Sequence, residues 1–93
     1  MLEVTGAEYI EGYKIRVRFN NGAAGVVDLS DSLWGPMFEP LKDFGAFKRF
    51  TVSGLLHTLC WENDADFAPE FLYEKMLEQS HAPDVGRFDP VQR

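Results

Sequence analysis

From Tyr13 to Phe19 the chain reads Tyr-Lys-Ile-Arg-Val-Arg-Phe, apolar at every odd position and basic at every even one. Successive side chains of a strand leave opposite faces, so strict alternation marks a strand with one face on a core and the other in water. The flanking segments match it. Val4 to Ile10 reads as an earlier strand joined through Glu11-Gly12, and Ala23 to Leu29 as a later one joined through Asn20-Asn21-Gly22. Short apolar runs separated by Gly and Asn turns make a three-stranded antiparallel meander.

The second turn also fixes a register. A two-residue Asn21-Gly22 loop would put Asp28 beside Ile15 and bury its carboxylate. A three-residue loop, with Gly22 in the left-handed conformation of a bulge, instead aligns Tyr13, Ile15 and Phe19 with Leu29, Val27 and Ala23. Lys14 then faces Asp28, and this is the register expected.

Beyond Leu29 the alternation stops. Ser30 to Pro40 combines turn residues with Leu33, Trp34, Met37 and Phe38, and is expected to fold as a lid over one end of the core. The alternative for Trp34 is an exposed anchor for a partner. Asp43 is a plausible N-cap for a short helix through Arg49, with Phe44 and Phe47 on one face. Phe50 to Ser53 and Leu55 to Trp61 read as a hairpin around Ser53-Gly54.

A second helix is signalled from Pro69 to about Gln79, with proline at the first helical position and Phe67 and Leu72 placed as a hydrophobic staple. Leu72, Tyr73, Met76 and Leu77 form its apolar stripe; Glu70, Glu74 and Glu78 line the opposite ridge. Residues 80–93 read as a polar tail. The expectation is therefore one compact α+β domain over residues 1–79: meander, short helix, β-hairpin and C-terminal helix.

Composition supports a single packed core. Ninety-three residues, 45% of them hydrophobic, suffice for one domain, and Cys60, the sole cysteine, has no disulfide partner. No apolar run is long enough to span a bilayer, and the N-terminus lacks a signal-peptide pattern, so a cytoplasmic location without membrane attachment is expected. The net charge of −6 is divided evenly between the halves. Such acidity opposes phosphate backbones and favours a basic partner.

Several residue groups invite chemical readings. His57 and Cys60, three apart on a strand, point to opposite faces and do not form a nucleophile and base pair. His57 and His81 lack metal-ligand spacing, and Glu62, Asp64 and Asp66 lack the glycine and distal glutamate of a calcium loop. Those three read instead as turn and cap residues, with Asn63-Asp64 making the reversal and Asp66 helping to satisfy the helix N-terminus. Lys14, Arg16 and Arg18 make a basic stripe that could follow phosphates, although three charges are few for that task. Glu70, Glu74 and Glu78 repel one another at four-residue spacing and would gain from a cationic surface.

Taken in order, the strand ending at Phe19 with Asn21-Gly22, Val27-Asp28-Leu29, Phe38-Glu39-Pro40-Leu41-Lys42-Asp43 with Phe47, Thr58 to Asn63, and Asp66 to Tyr73 resemble the bacterial family called domain of unknown function 2442. The resemblance runs from about Val4 to Met76. It implies a compact α+β fold and a bacterial source, and it assigns no activity. Some relatives carry a helix-turn-helix after this domain, and others are encoded beside a second short protein in an arrangement resembling a toxin and antitoxin pair. Only 14 residues follow Gln79 here, so a helix-turn-helix is not expected. Where the family tends to have Asn-Gly, this chain has Asn63-Asp64.

The functional expectation is a non-enzymatic protein-interaction or regulatory module, antitoxin-like, without cofactor or metal. Its partner would be a small basic protein met by Trp34 or by the ridge of Glu70, Glu74 and Glu78. The alternative is a nucleic-acid-associated regulator using Lys14, Arg16 and Arg18.

Overall fold

The computed structural model describes the backbone of residues 1–88 and the side chains of residues 1–79. Three strands, β1 (Val4–Glu11), β2 (Lys14–Phe19) and β3 (Ala24–Asp28), form an antiparallel sheet in the order β1-β2-β3. Ile15 pairs with Val27 and Lys14 with Asp28, the register that keeps the carboxylate out of the core. The Phe19 N–H donates to Ala23 O across the three-residue loop, and Gly22 takes φ +89. Ile15, Val17, Phe19, Val27 and Leu29 are all buried.

A 3-10 turn (Glu39–Lys42) leads into α1 (Phe44–Phe47), whose cap Asp43 accepts a hydrogen bond from Ala46 N at 2.9 Å. Phe47 is fully buried, whereas Phe44 is half exposed and leans on the Tyr13 ring. Strands β4 (Thr51–Val52) and β5 (Leu59–Cys60) pair Thr51 with Cys60 and Val52 with Leu59. The connection is thus Ser53 to Thr58, longer than the tight turn expected at Ser53-Gly54. The Ser53 hydroxyl accepts from the N–H groups of Leu55 and Leu56, and His57 turns at φ +57, so a side-chain-capped loop replaces the first half of the expected second strand. Leu55 and Leu56 read as strand residues because they are apolar, yet both are exposed.

Helix α2 (Pro69–Phe88) extends nine residues past the expected end near Gln79. The apolar stripe stops there and Pro83 follows, but a helix can continue through a proline at the loss of one backbone hydrogen bond. The side chains of the tail expected over residues 80–93 lie outside the described residues. At its start α2 follows the staple pattern, with both Phe67 and Leu72 buried. It crosses β3 so closely that a Cβ at Gly25 would lie 2.7 Å from the Met76 Cγ. Gln79 completes the docking: its amide donates to Asp28 O at 3.0 Å and accepts from Asp28 N at 2.7 Å, standing in for a neighbouring strand on the open sheet edge.

Val17, Phe19, Phe47, Leu59, Trp61, Leu72 and Met76 meet in one core, as expected. Trp61 sits at its centre. Its ring lies 5.8 Å from those of both Phe47 and Phe67, and its Nε1–H donates to Phe47 O at 2.8 Å. The turn after it places Asp64 at φ +69, where glycine meets no Cβ penalty.

Two stability outcomes are expected in urea titrations. Trp61→Ala should cost about 3–5 kcal/mol through cavity formation and the unpaired Phe47 carbonyl; a loss below about 1 kcal/mol would show the indole to be peripheral. Asp64→Gly should raise stability by about 0.5–1 kcal/mol as left-handed strain is relieved, and a decrease would show that the Asp64 side chain itself holds the turn.

Candidate interaction site

The segment after β3 is held at two points. Leu33 is buried in the core, and the Asp31 carboxylate meets Lys75 Nζ of α2 at 2.9 Å. Gly35, at φ +87, then reverses the chain, with the Phe38 and Glu39 N–H groups donating to its carbonyl. Phe38 stacks on Phe67 at 4.6 Å, and Phe67 on Phe71 at 5.2 Å. The lid reading therefore holds for Leu33 and Phe38 but not for Trp34. With its neighbour Leu33 turned inward, Trp34 remains 72% exposed, and Met37 is nearly half exposed.

Loop and helix together enclose a cleft of about 380 Å³ lined by Asp31, Ser32, Trp34, Phe38, Phe67, Phe71 and Lys75. Lys75 retains only 16% side-chain exposure, and its Nζ lies 5.9 Å from the Phe71 ring centre. Hydrogen bonding and charge attraction from Lys75 hold the Asp31 carboxyl below the usual aspartate range. The cleft thus has aromatic walls and one internally neutralised ion pair. Sequence reasoning missed Phe71 and Lys75. The available signal was the four-residue step from Phe71 to Lys75 down one side of α2, with Phe67 just before the helix.

The other candidate residues lie apart from this cleft or on its border. Glu70, Glu74 and Glu78 are exposed on α2, and among the described residues none of them is in an ion pair. Glu74 and Glu78 stand three and seven positions beyond Phe71, a spacing that puts all three on one side of α2. The basic stripe is differently placed, on the outer face of the sheet. Arg16 meets Glu8 at 3.9 Å, Lys14 meets Glu11 at 3.7 Å, and the Arg18 guanidinium lies over Gly6. Two of its three cations are therefore matched by carboxylates.

His57 and Cys60 have separate surroundings, His57 beside Glu3 at 3.9 Å and Cys60 beside the Thr51 hydroxyl at 3.5 Å. Glu62 is drawn to Arg49, Asp64 forms the turn, and Asp66 bridges Cys60 through its backbone. That short strand bridge sets Asp66 beside β5, three residues before the start of α2. Among the described residues no three His, Cys, Asp or Glu side chains converge as metal ligands, and no helix is long and apolar enough to cross a membrane.

The family model for DUF2442, a protein of unknown function, matches residues 4–78. The chain belongs to this family. The DUF2442 fold recurs in the crystal structure of a candidate DNA-binding protein, NE0471, from Nitrosomonas europaea ATCC 19718, with a TM-score of 0.74 and 24% sequence identity. That likeness covers 86% of this chain and 52% of the other, so this chain spans about half the length of its structural neighbour. None of the curated proteins matches.

The cleft of this DUF2442 domain carries a pH signature. Because Asp31 is shifted down in the fold, the stability it contributes is fully present above the ordinary aspartate range and is lost as pH falls through the lowered value. Carboxyl-carbon NMR should find Asp31 titrating below an ordinary exposed aspartate, and Lys75→Met should move it upward. An Asp31 titration unaffected by Lys75→Met would show that the pair does not persist in solution.

Proposed function

We propose that this protein is a non-enzymatic, cytoplasmic interaction module, acting as the antitoxin-like or regulatory half of a two-protein system and binding a small basic protein. The observation that carries the reading is the exposed aromatic cleft at Trp34 and Phe71, on the same helix as the exposed Glu70, Glu74 and Glu78, which have no ion-pair partner among the described residues. Protein interfaces concentrate their energy in a few aromatic anchors, with charge around them steering the encounter. Three carboxylates at four-residue spacing repel one another, and a cationic surface relieves that repulsion on contact. The net charge of −6 acts in the same direction over longer distances.

A second reading, nucleic-acid association through Lys14, Arg16 and Arg18, is favoured by the DNA-binding description given to the structural neighbour. It faces an electrostatic cost. Phosphates approaching the stripe must compete with Glu8 and Glu11, which already lie against Arg16 and Lys14.

Charge reversal separates the two readings. For a basic protein captured from the native host, Glu74→Lys should weaken the complex at least about tenfold at low salt, while Arg16→Glu leaves it within about twofold. Retention of duplex DNA at physiological salt that Arg16→Glu abolishes would overturn the first reading in favour of the second.

A further inference from the structure

We propose that the cleft between the Ser30–Pro40 loop and α2 is an anchor pocket for one apolar side chain of a cationic, amphipathic peptide segment. Lysine or arginine residues flanking that anchor would meet Glu74 and Glu78. The inference rests on the protein-binding reading above and names the chemistry of the partner's contacting segment.

Three observations support it. The first is preorganisation: Phe38, Phe67 and Phe71 already stack on one another, and Leu33 and the Asp31–Lys75 pair hold the loop to the helix. An incoming side chain would not have to order its own walls. The second is volume, since about 380 Å³ with aromatic lining accepts one large apolar group but not a folded surface. The third is charge complementarity. Lys75 is matched by Asp31, whereas Glu74 and Glu78, exposed beside Phe71 and Lys75 in helical spacing, have no ion-pair partner among the described residues.

These features discriminate among occupants. An anionic amphiphile would have to displace Asp31 from Lys75 and then lie against the glutamates. A nucleobase could stack on Trp34, but its phosphates would meet the same carboxylates. A second copy of this chain would bring another net charge of −6 to an acidic surface. A basic segment with an apolar anchor meets none of these obstacles.

The full chain is titrated by calorimetry at low salt with a synthetic helical peptide bearing one central Phe flanked by Lys at three- and four-residue spacing. Two control peptides replace Phe by Ser, or every Lys by Glu. Saturable one-to-one binding is expected, weakened at least about tenfold in each control. Phe71→Ser and the double variant Glu74→Lys, Glu78→Lys should each reproduce that loss. Trp34→Ala, at a side chain largely outside the core, should do so with circular dichroism unchanged and covers the case in which Phe71→Ser fails to fold.

Equal affinity for the Phe and Ser peptides would overturn the pocket, as would tighter binding of the Glu peptide or indifference to Trp34→Ala. Self-association of the chain that excludes the peptide would overturn it in favour of a second copy. If the anchor has no effect while Glu74→Lys still weakens the captured complex, the pocket is wrong and the protein-binding reading survives.

Discussion

The indole of Trp61 is the contact through which the separate parts of this small fold meet. Its N–H satisfies the Phe47 carbonyl at the end of α1, and its ring touches Phe47, Phe50 and Phe67. One side chain thereby ties the short helix, the β4–β5 hairpin and the approach to α2 into a single core. In a chain of 93 residues no second core can compensate for its loss. From Trp61 the ring contacts run in both directions, through Phe47 to Tyr9 and Tyr13 of the sheet, and through Phe67 to Phe38 and Phe71 at the surface. The walls of the cleft are therefore an outgrowth of the core.

That continuity bears on how the site can work. A pocket on an independent loop would have to be ordered on binding, at an entropic cost for each side chain immobilised. Here Phe67 belongs to both core and cleft, and Leu33 pins the loop one residue before Trp34. Trp34 keeps its surface exposed on a backbone fixed at both sides, by Leu33 inward and by the Gly35 turn after it. The Asp31–Lys75 pair holds the other margin, with most of the Lys75 stem covered and Asp31 in water. An exposed pair contributes little to stability, but this one fixes the distance between loop and helix.

What the sequence made legible follows the reach of local rules. The alternation at Tyr13–Phe19 and the penalty for burying Asp28 determined the strands, their faces and their register. Proline at the first position of α2 and the Phe67–Leu72 staple located its start. The Ser53–Thr58 loop was illegible because Leu55 and Leu56 are apolar yet exposed, and a Ser53 side-chain cap has no periodicity to betray it. The cleft escaped for a related reason. Phe71 lies outside the core stripe of α2, and its role depends on where the aperiodic Ser30–Pro40 loop, distant in sequence, comes to rest.

The two charged surfaces of the molecule differ in kind because of the elements that carry them. On a sheet, cross-strand neighbours come from different strands, so the basic row on β2 lies beside glutamates of β1 and its charge is largely answered within the fold. On a single exposed helix face, neighbours come from the same strip of sequence. Glu70, Glu74 and Glu78 therefore lie exposed beside one another, with no ion-pair partner among the described residues. Removing one cation from the stripe leaves its carboxylate neighbour exposed and solvated, while matching the ridge requires charges from outside the described chain. The sheet face is thus closer to electrostatic self-sufficiency than the helix face. This asymmetry, set beside an aromatic cleft on the same helix, makes the α2 side the surface with most to gain from a cationic partner.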